Sequence, residues 1–346
     1  MISVVIAAYN EEGIIRQSVL KTLDYLRNEI AGSWELIVVN DGSADGTGAI
    51  LDEMAKTETD LVVLHHLHNY GQGRALRTGF AQCHGDVIVT LDADLSYGPQ
   101  YIKILTGSLK DKRVDIALAS AYAKGGTVRN VPYYRLFLSK WGNYYLARMS
   151  QYSISTSTCV VRAYRREVID SLFLTADGME LQLEILMKSA MMNFKVSEEP
   201  AELAWDMDKL MEADFGRVSK MRIFRTIALY LKMGWLFRPA YIFIIASLLL
   251  LGPGLYMAFY LALFRLAPTF MEHLGSGLSV AVSVSLAENL TKYAYSFGLS
   301  AALIIFGFQL FIFGMLMMQS KFYFDELYRL GQQIIFDNRR NREDKK

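Results

Sequence analysis

Five short runs rich in apolar and β-branched residues recur through the first part of the chain, at 3–7, 36–39, 61–64, 87–91 and 115–119. Longer stretches of helical character separate most of them, among them 12–27 and 44–56. Strands alternating with helices predict an α/β domain whose mostly parallel sheet is covered on both faces. The pattern changes near the C-terminal end. No charged residue lies between Arg238 and Arg265, nor between Lys292 and Lys321, and each run exceeds the roughly 20 residues that a bilayer core requires. These runs predict two transmembrane helices, 239–264 and 293–320, joined by an extracytoplasmic loop, 265–292.

Ahead of the first span, Ile223, Ile227, Tyr230 and Leu231 fall on one side of a helical projection, with Arg222, Arg225 and Lys232 around the other. Segment 221–238 therefore reads as a juxtamembrane amphipathic helix on an anionic leaflet, preceded by a soluble domain over 1–220. Residues 321–346 read as a C-terminal helix and tail, with Phe322, Leu327, Leu330 and Ile334 facing a membrane surface or a second subunit. Juxtamembrane helices of this kind are where a homo-oligomer would form.

Composition narrows the classes. The 346 residues carry a formal net charge of +1 with 52% hydrophobic residues, which excludes a disordered chain and a protein that binds nucleic acid electrostatically. Basic residues crowd the expected cytoplasmic flanks (Lys220, Arg222, Arg225, Lys232 and Arg238 before the first span, Lys321, Arg329, Arg339, Arg340 and Arg342 after the second). The loop between the spans offers only Arg265 and Lys292, so both termini are expected in the cytoplasm of a cell membrane protein. The N-terminus lacks the basic lead and long apolar stretch of a secretory signal. Cys83 and Cys159 are too few for a disulfide framework and are expected to pack. His65, His66 and His68 end a strand, where neighbours face opposite ways, so a structural role is favoured over a metal cluster.

In a parallel sheet, ligands bind beyond the carboxyl ends of the strands. There the chain carries Ala7-Ala8-Tyr9-Asn10-Glu11-Glu12, then Asn40-Asp41-Gly42-Ser43-Ala44-Asp45-Gly46-Thr47, then Asp92-Ala93-Asp94-Leu95-Ser96. Alone, Asp-x-Asp is most often a turn with capping aspartates. Beside two further acidic loops, it suits a hard divalent cation shared with phosphate oxygens.

These motifs, in this order, resemble the inverting family 2 glycosyltransferases of the GT-A fold, specifically the dolichyl-phosphate mannose synthase and polyprenyl-phosphate glycosyltransferase group. The resemblance covers 1 to about 222 and extends to Gly85-Asp86, to the stretch 124–135 ending in Tyr134-Arg135, to Arg162-Ala163-Tyr164-Arg165-Arg166-Glu167-Val168, and to Gly216-Arg217-Val218-Ser219-Lys220. It implies an enzyme moving a sugar from a UDP- or GDP-sugar to a polyprenyl or dolichyl phosphate. By resemblance, Ala7, Tyr9, Glu11, Val39 and Asp41 would hold the nucleotide, Asp92 and Ala93 would line its diphosphate, and Asp92, Asp94 and Ser96 would hold Mg²⁺ or Mn²⁺. Asp94 and Arg135 would be catalytic, and Arg217 and Lys220 would bind phosphate oxygens or, as charges at a membrane, lipid headgroups. Arg74 or Arg77 would approach the nucleotide.

The sequence departs from the family pattern at Ala7-Ala8 (for Pro-Thr), Ser96 (for Gln), Ala121 (for Arg) and Thr156 (for Asp), so a loosened metal site and an altered pocket are expected. A sugar-hydroxyl acceptor would need a base, for which Glu180 or Glu184 is available, although the helix carrying them reads as a packing helix with solvated glutamates. The other class to weigh is a scaffold that keeps the fold without turnover.

Overall fold

The computed structural model describes residues 1–131, 133–149, 152–204 and 239–343. It divides into two compact units, Met1–Phe237 with Leu327–Lys346, and Arg238–Glu326.

In the first unit, β1 (Ile2–Ala8), α1 (Ile15–Glu29), β2 (Trp34–Asn40), α2 (Thr47–Ala55), β3 (Leu61–His65), α3 (Gln72–Gln82), β4 (Val87–Asp92), α4 (Tyr101–Asp111) and β5 (Ile116–Ser120) alternate as the hydrophobic pattern predicts. There follow β6 (Thr127–Arg129), α5 (Tyr133–Met149), β7 (Arg162–Arg165), α6 (Arg166–Ser171), α7 (Leu181–Met191), β8 (Val196–Pro200) and β9 (Glu202–Ala204). The seven-stranded sheet has the order β3-β2-β1-β4-β7-β5-β8, and β6 pairs with β9 separately. All pairings in the large sheet are parallel except those of β7, which runs antiparallel to both β4 and β5.

Both faces are covered because the central strands are apolar on both sides. Val4 and Ile6 of β1 pack with Ile15 and Leu23 of α1 and Ile102 of α4, while Val5 packs with Leu76 of α3 and Ile185 of α7. Helix α1 forms because Ile15, Val19, Leu23 and Leu26 recur at three- and four-residue spacing and all become fully buried. The sequence pattern hides β7, since Arg-Ala-Tyr-Arg has no apolar alternation. Arg162 is nevertheless fully buried, and its guanidinium donates to the carbonyls of Ser157 (2.7 Å), Cys159 (2.8 Å) and Gln182 (2.9 Å). Those bonds meet the rule that a buried charge must be hydrogen-bonded.

In the second unit, α8 (Pro239–Leu261) leads through a π-helical turn, Ala262–Leu266, into α9 (Ala267–His273). A short 3-10 turn precedes α10 (Leu278–Lys292), and α11 runs from Ala294 to Glu343. Two segments, Ala240–Ser276 and Ala294–Gln332, are long and apolar enough to cross a membrane. The stretch expected as a loop, 265–292, is instead mostly helical, and Asn289 Nδ2 donates to Thr269 Oγ1 (2.8 Å) to tie α10 to α9. Ser300 Oγ donates to the Gly254 carbonyl (3.0 Å), joining α11 to α8.

Helix α11 also runs unbroken through the boundary expected at 320/321. Its end, from Leu327, lies in the first unit, where Arg329 Nε donates to the Met191 carbonyl (2.6 Å) and Tyr328 lies against Lys188. This end therefore packs its polar side on α7 of its own chain, while Leu327, Leu330 and Ile334 stay exposed.

Candidate active site

Because β1 sits between β2 and β4, with Ala7 opposite both Val39 and Asp92, the loops after these three strands emerge side by side. The first two are laced together. Backbone N–H groups of Asn10, Glu11 and Glu12 donate to Ser43 Oγ (3.0 Å), Thr47 Oγ1 (2.8 Å) and Asp45 Oδ2 (3.1 Å). In return, Ala44 N–H donates to Asn10 Oδ1 (2.9 Å) and Gly46 N–H to Glu12 Oε2 (2.7 Å). Much of the two motifs is thus spent on holding each loop to the other, which leaves Tyr9 exposed above them.

Asp41 faces inward. It is 2% exposed, and its Oδ1 meets His66 Nδ1 (2.7 Å) and accepts from Tyr70 N–H (3.0 Å), while Oδ2 accepts from Gly71 N–H (2.8 Å). His66 Nε2 in turn meets Thr78 Oγ1 (2.9 Å). His65 points the other way, between Asn40 Nδ2 (3.0 Å) and Asp52 Oδ1 (2.9 Å). The neighbouring histidines have separate structural partners, and among the described residues no group of three His, Cys, Asp or Glu side chains is placed to hold a metal ion. Gly42 completes the turn, with φ of +66° and a position where a Cβ would lie 2.3 Å from the His68 carbonyl carbon. Val39, also expected at the nucleotide, is fully buried in the sheet.

The segment Gly71–Gly73, which superficially mimics a dinucleotide loop, packs on the backbone of 176–178. A Cβ on Gly71 would come within 2.5 Å of the Asp177 carbonyl oxygen. Arg74 N–H donates to that same carbonyl (2.9 Å), and Arg77 pairs with Asp177 (2.8 Å). Arg77 therefore fastens this loop to α3.

Asp92 ends β4 and is only partly covered, while Ala93 is buried and Asp94 is exposed. Burial, with the nearby charges of Asp94 and Glu11, pushes the Asp92 carboxyl up to about 7. Asp94 Oδ1 accepts from Ser96 N–H (2.9 Å), so Ser96 orders the turn through its backbone. A carboxyl held protonated by burial and two acidic neighbours makes an environment that a hard cation relieves. Two protein carboxylates suit Mg²⁺ or Mn²⁺, the remaining positions going to phosphate and water oxygens. The residues present fit the ion that the motif implies.

Asp92 opens onto a cavity of about 230 Å³ whose wall includes Ser96, Tyr97, Tyr122, Asn143 and Thr156. Ser96 and Thr156 stand where the chain departs from the family pattern and Tyr122 follows such a departure at Ala121, whereas Tyr97 and Asn143 carry no motif that marks them and reach the site through the fold. Asn143 illustrates this: its Oδ1 accepts from Ser157 N–H (2.9 Å), which fastens α5 to the loop before β7. Cys159 lines the same cavity and Cys83 lies elsewhere in the core. Burial pushes both thiols up to about 12, and both pack as expected.

The glutamate within α7 departs from expectation. Glu184 is not solvated. Burial alone would raise its carboxyl, but Lys188 (2.6 Å) and the N–H groups of Ala176 and Thr175 outweigh that and hold it below the usual range. A carboxylate so engaged is a poor general base. Glu180 precedes α7 and accepts from Gly178 N–H (3.3 Å). Arg135 falls in the first turn of α5, with its side chain outside the described residues, and Arg217, Lys220 and the helix expected at 221–238 also lie outside them.

Residues 3–173 match the sequence profile of the family described as Glycosyl transferase family 2, and this stretch is a domain of that family. Its mostly parallel α/β sheet is that of the GT-A fold. The polyprenol monophosphomannose synthase of Mycolicibacterium smegmatis is 38% identical over 172 residues, 48% of this chain and 64% of that protein. An undecaprenyl-phosphate 4-deoxy-4-formamido-L-arabinose transferase of Pseudomonas fluorescens is 36% identical over 175 residues, 49% of each chain. The dolichol-phosphate mannosyltransferase of Pyrococcus furiosus is 32% identical over 191 residues, 54% of this chain and 52% of that protein. The similarity thus spans between about half and just under two thirds of these relatives' lengths.

Proposed function

We propose that the protein is a membrane-bound inverting glycosyltransferase that moves a sugar from a UDP- or GDP-sugar to a polyprenyl or dolichyl phosphate at the cytoplasmic face. The observation that carries this reading is the Asp92-Ala93-Asp94 pair at the end of β4, beside the laced loops of β1 and β2, in a domain 38% identical to a polyprenol monophosphomannose synthase. Tyr9 and Glu11 would meet the nucleotide above those loops. Asp41 would act beneath them, by fixing the backbone from Tyr70 to Gly71. Asp92 and Asp94 would hold Mg²⁺ or Mn²⁺, which supplies Lewis acidity toward the departing nucleotide diphosphate. Arg135, Arg217 and Lys220 are the residues proposed to bind phosphate oxygens.

A phosphate acceptor needs little proton chemistry, because its second pKa of about 6 leaves it largely dianionic at neutral pH. The engagement of Glu184 by Lys188 agrees with a site that spares no base there and works by positioning and charge neutralisation. The two apolar helical segments would anchor the domain where a lipid acceptor is dissolved, with both termini cytoplasmic and subunits meeting through juxtamembrane helices. The test is to give the purified full chain Mg²⁺ or Mn²⁺, a panel of UDP- and GDP-sugars and a polyprenyl phosphate. A glycolipid should form with one donor class. No product with any donor, while nucleotide still binds, would overturn the reading.

A further inference from the structure

One buried ion pair, Glu184 with Lys188 of α7 (2.6 Å), lies outside the motifs that mark the site, and each side chain is only 10% exposed. The Glu184 carboxylate spends both oxygens on the loop before its helix. Oε1 accepts from Thr175 N–H (3.0 Å) and Thr175 Oγ1 (2.8 Å), and Oε2 accepts from Ala176 N–H (2.8 Å). Lys188 is itself enclosed: its ammonium donates to the Phe173 carbonyl and lies against the rings of Phe173 (5.8 Å) and Tyr328 (5.7 Å), the latter from the end of α11. The loop so held, 175–179, meets the segment 71–74. The Thr175 carbonyl accepts from Arg77 Nη1 (2.9 Å), and the Asp177 carbonyl accepts from Arg74 N–H (2.9 Å). A Cβ on Gly73 would fall 2.5 Å from the Gly178 carbonyl oxygen, so the two backbones touch with no room for a side chain between them. Asp41 holds the same segment through Gly71 N–H. Each loop sends one side chain to the wall of the Asp92 cavity, Gln72 from the first and Met179 from the second.

We infer that Glu184 is a positioning residue for the nucleotide sugar: it fixes the loop 175–179 and, through it, the Gly71–Arg74 segment, so that the wall beside Asp92 is set before the donor binds. The inference rests on the transferase reading and deepens it by giving the donor side of the site a support outside the motifs. A carboxylate offers two acceptor oxygens to converging N–H groups, whereas an amide offers one and turns a donor toward the other N–H. A buried ion pair gains little over a well-packed apolar pair, though stranding one member is costly. Replacing Glu184 and replacing Lys188 therefore separate positioning from stability, because only the first removes the acceptors that hold the loop.

The test compares the full-length wild type, Glu184→Gln and Lys188→Met proteins in detergent by calorimetric titration of UDP and GDP in Mn²⁺. Amide hydrogen exchange over 70–76, followed by mass spectrometry, and melting temperature are measured alongside. Both variants should melt lower, since each strands a partner. Glu184→Gln alone should exchange faster over 70–76 and bind the nucleotide about tenfold more weakly. Lys188→Met, in which Glu184 still holds the loop, should keep its nucleotide affinity within about twofold of the wild type. In turnover, Glu184→Gln should raise KM for the donor and leave KM for the prenyl phosphate unchanged. If Glu184→Gln does not fold, Glu184→Gln/Lys188→Met, which strands no charge, carries the same expectation when set against Lys188→Met. Unchanged nucleotide affinity in Glu184→Gln, whatever its exchange, would overturn the inference and leave the transferase reading standing. So would losses of affinity that track melting temperature across both variants, since the pair would then act only through stability. A wild type that binds neither UDP nor GDP would overturn both readings.

Discussion

Two aspartates end neighbouring parts of the same sheet and have opposite surroundings. Asp41, just after β2, is buried and surrounded by donors: His66 and the N–H groups of Tyr70 and Gly71. Asp92, at the end of β4, is surrounded by acids, and its carboxyl is pushed up to about 7 by burial, Asp94 and Glu11. One carboxylate is satisfied by the fold and the other faces like charge. The difference teaches that an acidic loop at a strand end is not by itself a ligand site. What separates structure from chemistry is whether the protein has already answered the charge.

The largest effect should come from removing the unanswered charge. Asp94→Ala should lower glycolipid formation by about 10³-fold or more, since a metal's stabilisation of the leaving diphosphate is worth several kcal/mol. The melting temperature should hardly move, because the Asp94 side chain is exposed. Asp41→Ala should show the reverse order of effects. Two backbone donors and a histidine lose their acceptor, so stability should fall by about 2–4 kcal/mol in denaturant titration, with activity lost in proportion to misfolding. Equal stability losses for the two variants would break the comparison.

Next in size is Gly42→Ala, which places a Cβ into the His68 backbone at a left-handed φ and should cost about 1–3 kcal/mol. A loss under about 0.5 kcal/mol would mean the turn can relax.

The smallest effect sharpens the comparison by pH. A free aspartate titrates near 3.9, and Asp92 in the folded protein near 7. Between those values the folded state keeps a proton that the unfolded chain has released, so this group's contribution to stability falls as pH rises, and is fully lost above about 7. In EDTA, Asp92→Asn should therefore match the wild type near pH 4 and become the more stable protein by about 1–3 kcal/mol at pH 8. Mn²⁺ should close that gap by stabilising the wild type alone. A gap that shrinks with rising pH would place the Asp92 carboxyl in a neutralising environment instead.

The sequence made the strand-end loops legible because their signal is local. Asp92 and Asp94 stand two apart, and apolar runs mark β1 to β5 within a residue or two. What was not legible depends on distant partners. The fate of Asp41 was decided by His66, Tyr70 and Gly71, on a different strand and loop. Likewise, β7 escaped notice because Arg162 pays its burial cost through three carbonyls that no sequence period reveals. Tyr97 and Asn143 reached the Asp92 cavity through chain folding alone. In the second unit, apolar runs marked the long helices, but the helical character of 265–292 was obscured by its Gly275 and Gly277 turn and mixed polarity.

The contrast between the two aspartates is tested most directly by calorimetric titration of UDP and GDP, with and without Mn²⁺, into the wild type, Asp92→Asn and Asp94→Ala proteins. The wild type should bind one nucleotide at least about tenfold more tightly with Mn²⁺, and both variants should lose that enhancement while keeping a wild-type unfolding transition in EDTA near pH 4. Nucleotide binding that ignores Mn²⁺ in the wild type, or an enhancement that survives in both variants, would contradict the account and leave the fold serving as a scaffold or holding its metal elsewhere.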